Sequence, residues 1–279
     1  MSNQICVPVS VMRRFSMEAL AAVGAGDEEQ SIVADSLLFA DMRGITSHGV
    51  SKLPVYIKRV LAGSINPKAK PECVVSRGYV ACIDGHNAFG QVAASVAMRH
   101  AIMLALSGGV GVVVVRNSNH FGAAGYFALM AASRNLIGVA LSNANPTMAP
   151  WGGSRLLLGT NPIAIAVPTG DECPFVLDLA CSTVSRGRII EAARLGRPIP
   201  PGWALDKNGN PTTDPQEALR GQMAPLGGVK GSGLAEAVDI LSGVLSGARF
   251  LSSVGPLYQD LDKPQGVGHF FAAVNVADI

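Results

Sequence analysis

The stretch Val110–Leu141, VGVVVVRNSNHFGAAGYFALMAASRNLIGVAL, decides the fold class. It opens on a continuous β-branched run, Val110–Val115, which reads as a buried strand. A polar cluster follows, then an alanine-rich helix expected over Phe121–Ser133 and a second apolar strand over Leu136–Leu141. Strand, helix and strand joined by short connections read as a crossover unit, and the chain is therefore α/β. Upstream, apolar spacing predicts helices over Val11–Val23, Glu28–Met42 and Ser47–Ala62, with Ser10 as an N-cap and a kink at Pro54. A hairpin is expected from Cys73–Ser76 and Tyr79–Ile83, then a buried helix over Gln91–Ser107. Downstream come strands at Ile163–Val167 and Phe175–Leu179, a helix over Thr183–Arg194, and a Pro/Gly/Asn-rich excursion from Pro198 to Pro215 with its turn at Lys207–Asn210. A long helix over Gly231–Ala248 and a strand over His269–Val276 complete the series. That last strand is apolar on both faces and only three residues follow it, so its cover is expected from a partner subunit or an absent segment. Met98, Met103 and Met130 read as core. No repeat or linker interrupts the chain. Residues 1–279 read as one domain, with helices to about residue 70 packed on an α/β region from about residue 71.

Of the 279 residues, 48% are hydrophobic and 15% charged, which excludes a disordered chain. The 22 Lys+Arg against 20 Asp+Glu leave a net charge of +2, too little for a nucleic-acid footprint. An anionic ligand must be held by local groups. Five cysteines without a C-x-x-C pair argue against disulfides and structural zinc, so no metal is expected. Met1–Ser10 lacks the pattern of a signal peptide, and Ala101–Val115 is too short to span a bilayer. The expectation is a cytoplasmic protein without a membrane partner.

No G-x-G-x-x-G, Walker A, H-E-x-x-H or G-x-S-x-G is present, so a nucleotide would need a fold other than the Rossmann domain. Three clusters carry chemistry. Arg43-Gly44-Ile45-Thr46-Ser47-His48-Gly49 puts a cation, a hydroxyl and an imidazole in a helix start; it reads either as a proton-exchange site or as an ordinary N-cap with a solvated histidine. Arg116-Asn117-Ser118-Asn119-His120-Phe121-Gly122 follows a buried strand, where ligands of open α/β sheets sit, although such residues also form plain turns. Leu226–Gly233, with Lys230 and Gly231, opens a helix in a manner suited to phosphate, or is a flexible connection. Thr160, Asn161 and Asp178 lie in loops and at a strand end, as ligand contacts or as turn and cap residues. His86, His100 and His269 read as structural or exposed.

Taken together, the strings DMRGITSHGV (41–50), NSNHFGAAG (117–125), APWGGSRLLLGTNPIAIAVP (149–168), PIPPGWALDKNGNPTTDP (198–215) and PLGGVKGSG (225–233) resemble the malate/L-lactate dehydrogenase family of the second type. That family includes sulfolactate and ureidoglycolate dehydrogenases, diketogulonate reductase and cyclic imino acid reductases. The resemblance implies an α/β fold of non-Rossmann type, with a mixed sheet and an N-terminal helical region. It also implies an NAD or NADP cofactor and a homodimer with the active site near the subunit boundary. His48 matches the proton donor, with Ser47 beside it. His120, Phe121, Gly122, Ala123 and Ala124 match a cofactor-contacting segment, and the ureidoglycolate branch uses the His120 position as base. Thr160 matches a substrate contact, and Asp178, Leu179 and Ala180 a second cofactor stretch. Lys52 stands where the family has a carboxylate-binding Arg. In the imino-acid branch an acidic residue lies near position 188, where this chain has Arg186-Gly187-Arg188. Family members continue beyond the last strand, which implies missing helices that complete the fold or a cofactor edge.

The function expected is reversible hydride transfer between a nicotinamide and C2 of a small anionic 2-oxo or 2-hydroxy acid. His48 exchanges the proton, Arg43 or Lys52 holds the carboxylate, Thr160 and Asn161 orient the substrate or nicotinamide, and Lys230 and Gly231 face the cofactor phosphates. The alternatives are an NADPH-dependent reductase of a cyclic imino acid, a hydrolase using Ser47, and a non-catalytic truncated scaffold.

Overall fold

Pro8, at φ −56° and ψ 137°, feeds the chain into the first helix, α1 (Val9–Ala21), so Ser10 lies inside the helix and does not cap it. The structure, a computed structural model, describes residues 6–170 and 173–278. Part of the Met1–Ser10 segment, residues 1–5, and Ile279 lie outside the described residues. α2 (Asp27–Met42) starts with Asp27, Glu28 and Glu29 at the positive end of its dipole. The helix expected from Ser47 is broken into two short 3₁₀ turns, Thr46–His48 and Val50–Lys52, before α3 (Leu53–Leu61). Pro54 falls in the first turn of α3, where its missing N–H would have had no partner; it starts the helix and does not kink it.

The hairpin forms as β1 (Glu72–Arg77) and β2 (Val80–Asp84), followed by α4 (Gly90–Gly108), β3 (Val110–Ser118), α5 (Ala124–Ala132) and β4 (Leu136–Ser142). Next come β5 (Ile163–Val167), β6 (Phe175–Leu179) and α6 (Arg186–Leu195). The excursion holds β7 (Ala204–Leu205) and β8 (Pro211–Thr212); α7 (Pro215–Arg220) and β9 (Gln222–Met223) follow it, and the three strands make a small sheet ordered β8-β7-β9. α8 (Val229–Asp239) widens into a π-helical turn, Ile240–Val244, and the chain returns as β10 (Val267–Asn275).

Among the described residues the main sheet has seven strands in the order β1-β2-β3-β10-β4-β5-β6. β2 and β3 are parallel, while every other neighbouring pair is antiparallel, so the sheet is mixed as expected. β3 and β4 run in the same direction, as the crossover reading requires, but β10 lies between them. Ala273 of β10 is in register with Gly111 on one side and Gly138 on the other. A Cβ on Gly111 would sit 2.1 Å from the Ala101 carbonyl oxygen of α4, and one on Gly138 would sit 2.2 Å from the Ala128 carbonyl oxygen of α5. This Gly-Ala-Gly row lets both helix backbones press onto the sheet, and it explains why the buried faces of α4 and α5 are alanine-rich.

β10 needs no partner subunit for its cover. Phe271 and Ala273 pack beneath α4 and α5, and Phe270 packs on the opposite face in a cluster containing Leu141 and Val238. The expectation of an external cover is thus overturned by the strand's central position. Met98 is in the core and Met130 packs against it, but Met103 is 59% exposed on the outer side of α4.

Candidate active site

The carboxyl ends of β3 and β4 and the start of β10 meet at one end of the sheet's central strands, where ligands of α/β folds gather. His269 ties the three strands there. It is wholly buried, with Nδ1 2.9 Å from Ser142 Oγ on β4 and Nε2 2.8 Å from Ser118 Oγ on β3. Its ring lies flat on Phe121 at 4.7 Å. Burial pushes its imidazole down to about 3, so it is a neutral structural residue, as read. Above it opens a cleft of about 1190 Å³, beyond the roughly 300–1,000 Å³ that suffices for a drug-sized ligand.

The turn carrying His48 is closed by Asp41, whose carboxylate accepts the Val50 N–H at 2.8 Å. A Cβ on Gly49 would fall 1.8 Å from Asp41 Oδ1, so a larger residue there would displace the carboxylate that closes the turn. Ser47 Oγ is 2.9 Å from His48 Nδ1, and the His48 ring stacks on that of His120 with centroids 5.6 Å apart. Tyr56 of α3 reaches His120 Nδ1 at 2.7 Å, and Gln265 accepts the His120 backbone N–H at 3.1 Å. Burial, helped by the charge of Lys52, pushes His48 down to about 4. Burial first, then the neighbouring His48 and Lys52, pushes His120 well below its ordinary value. Burial pushes the Tyr56 phenol up, so it keeps its proton. The pair is two neutral imidazoles, one held by a hydroxyl and the other by a phenol.

Lys52 is only 8% exposed, and its ammonium donates to the Tyr258 hydroxyl. Among the described residues no carboxylate pairs with it. Arg43 lines the same cleft, its guanidinium 3.7 Å over the Phe39 ring. Thr160, Phe121, Gly122, Ala123, Ala124, Asp178, Leu179 and Ala180 also line it. Asp178 caps the helix opposite to it and not the segment after it: it accepts the Gly125 N–H at the start of α5 at 2.9 Å.

Three expected ligand groups are not in the cleft wall. Asn161 is wholly buried, with Oδ1 accepting the Ala144 N–H and Nδ2 donating to the Ala235 carbonyl, so both ends of its amide tie loops together. Lys230 is exposed and outside the lining. Gly231 is buried where a Cβ would meet the Leu226 backbone at 2.4 Å, so the glycine serves tight helix–loop packing. Of the polar cluster that begins in the last residues of β3, Arg116 and Asn117 bond Asp84 and Asn119 bonds the Asn87 and Ala88 carbonyls; only His120 turns into the cleft with Phe121 and Gly122. The sequence reading missed Tyr56, Tyr258 and Gln265, which no local motif marks. It also missed Arg194 and Arg197, cations that line the cleft with Arg188.

The malate/L-lactate dehydrogenase family model matches residues 7–279. A malate dehydrogenase from Pyrococcus horikoshii is 42% identical over 282 residues, covering 98% of this chain and 77% of the relative. A (2R)-3-sulfolactate dehydrogenase (NADP(+)) from Chromohalobacter salexigens is 38% identical, covering 94% of this chain and 79% of its own length. The crystal structure of malate dehydrogenase from Entamoeba histolytica superposes with a TM-score of 0.93 at 38% identity, covering 98% of this chain and 79% of that one. The resemblance carried by the five strings is upheld, and the chain belongs to the malate/L-lactate dehydrogenase family.

Proposed function

We propose that this protein interconverts a small 2-oxo acid and its 2-hydroxy counterpart using NAD(H) or NADP(H). The observation that carries the reading is the pair of stacked neutral imidazoles, His48 and His120, beside a buried Lys52 that has no counter-charge among the described residues. The cleft suits a dinucleotide as well as a small acid. It exceeds what the acid alone needs, Gly122, Ala123 and Ala124 give it a wall without bulky side chains, and Arg188, Arg194 and Arg197 supply cations for phosphates. The nicotinamide supplies the hydride chemistry when bound. His48 takes the hydroxyl proton of the substrate in oxidation and returns one to the carbonyl oxygen in reduction. Ser47 orients that ring. With Tyr56 assigned as the donor to His120 Nδ1, the ring hydrogen sits on Nε2, and His120 serves as a donor for the same oxygen and not as the base. Lys52 and Arg43 hold the carboxylate.

A 2-oxo acid is favoured over a cyclic imine by the start of α6. Gly187 comes so close to Ser47 that a Cβ would lie 2.6 Å from the Ser47 Cβ, and its neighbours are Arg186 and Arg188, with no carboxylate among the three. The NADP(+) in the name of the Chromohalobacter relative supports a nicotinamide cofactor without choosing its type here.

Trp203 lines the cleft and gives the direct test. Titrating NADH and NADPH should quench tryptophan emission and sensitise emission from the reduced nicotinamide, and Trp203→Phe should weaken that transfer. A scaffold or a hydrolase would give no transfer with either cofactor.

A homodimer and a cytoplasmic location belong to the same reading. Exposed Leu234, Ile240, Val244 and Leu245 on α8 and its continuation support the first. Five free cysteines support the second, which cell fractionation checks. Dilution of roughly a hundredfold should lower the melting midpoint of a dimer, and a constant midpoint with a monomeric elution volume would end that part of the reading.

A further inference from the structure

The Lys52 ammonium donates to the Tyr258 hydroxyl and lies 5.0 Å from the Tyr258 ring centroid. An ammonium has three donors and no acceptor, so here the phenol oxygen accepts. Its own hydrogen, and two more on Lys52, remain to be given to something else. Among the described residues neither group has another hydrogen-bond partner, and both residues line the cleft that holds His48 and His120. A buried cation without a counter-charge is costly, and an anion arriving beside it removes that cost.

Tyr258 is also held in place. The wholly buried Arg59 donates to the backbone carbonyls of Pro256, Leu257, Leu261 and Lys263 at 2.5–3.4 Å, and to Ser64 Oγ at 3.0 Å. Those carbonyls belong to the loop that carries Tyr258. Arg59 and Lys52 stand seven residues apart along the same helical segment, and so on the same side of it. α3 and the 3₁₀ turn that leads into it thus supply the anchor and the ammonium for the same phenolic neighbour.

We propose that Lys52 Nζ and the Tyr258 hydroxyl act as one composite donor pair for the two oxygens of a substrate carboxylate. Two side chains then do what a single arginine does with its planar fork. The assignment of a 2-oxo acid comes from the function proposed above, and Tyr258 adds a specificity-determining residue to it.

The probes are oxamate, a non-reacting 2-oxo acid analogue, and oxamide, its neutral partner, titrated by calorimetry into the protein with reduced cofactor. Tyr258→Phe keeps the ring and should weaken oxamate by about 10–100-fold, the effect of one lost hydrogen bond to a charged group, while oxamide changes by less than about threefold. Adding Lys52→Arg to Tyr258→Phe should recover most of the oxamate affinity, because the guanidinium carries both donors itself. Lys52→Met should show the same selectivity for the acid over the amide. Unchanged oxamate affinity in Tyr258→Phe, equal losses for acid and amide, or no rescue by Lys52→Arg would each overturn the composite clamp. Turnover of pyruvate and oxaloacetate by the wild type is read separately. Selective oxamate binding without turnover would leave the clamp standing and remove the redox reading.

Discussion

His48→Ala should lower kcat by about 10²–10⁴, the range for a lost acid–base group, with reduced-cofactor affinity retained. The physical ground is the environment of the ring. Burial and Lys52 hold the His48 imidazole down at about 4, so near neutral pH it is unprotonated and able to accept the proton of a hydroxy acid. The sign of the pH dependence follows. For oxidation, kcat/KM should be level near neutrality and fall as pH drops through the lowered value, because protonation removes the base. For reduction the protonated ring is the reactant, so kcat/KM should decline as pH rises above it. Both slopes should vanish in His48→Ala. His120→Ala should cost less and leave the pH profile in place, since Tyr56 holds that ring as a donor. Steady-state rates across pH decide it: a mild His48→Ala beside a dead His120→Ala would exchange the two roles.

Gly138→Val should cost about 3 kcal/mol or more of folding stability and yield little folded protein, measured by denaturant unfolding and soluble yield. The added Cβ would sit 2.2 Å from a helix backbone oxygen, and no rotamer change relieves contact with a backbone atom. α5 would have to lift from the sheet, carrying Ala124 with it and drawing the Gly125 N–H away from Asp178 on β6. Wild-type stability in Gly138→Val would show that the helix can yield without loss.

The strands of the main sheet and most helices were legible in the sequence because each is marked by its own apolar spacing, whereas the two-residue strands β7, β8 and β9 are too short to carry one. The neighbours of a strand are not marked in this way. β10 read correctly as apolar on both faces, but its insertion between β3 and β4 depends on pairings between distant segments. The turn at His48 was misread as helix because its apolar residues do have helical spacing; the Asp41 carboxylate closing on Gly49 breaks that helix, and this contact spans eight residues. At the site, His48, His120, Lys52, Arg43 and Thr160 were legible as chemistry-bearing groups and the fold brings them to one cleft. Asn161 looked like a ligand group for the same reason, yet both ends of its amide bond backbone. Tyr258 was invisible, because a buried arginine two hundred residues upstream in the folded chain's order, Arg59, places its loop.

The long stretch of chain between β4 and β10, and the central position of β10 in the sheet, also shape how the protein is made. While the nascent chain is still short of Val267, β3 and β4 have both been synthesised, and each presents an open edge to the gap that β10 will fill. Open edges are templates for mispairing with other chains. From the completion of β4 until β10 is made, the growing polypeptide is therefore an incomplete sheet, in which α4 and α5 rest on a floor without its middle plank. Final closure waits until residues 267–275 leave the ribosome, a non-local step that is slow by its topology. Slower elongation would lengthen that exposed interval, whereas a chaperone that shields strand edges would protect the chain until the gap is closed.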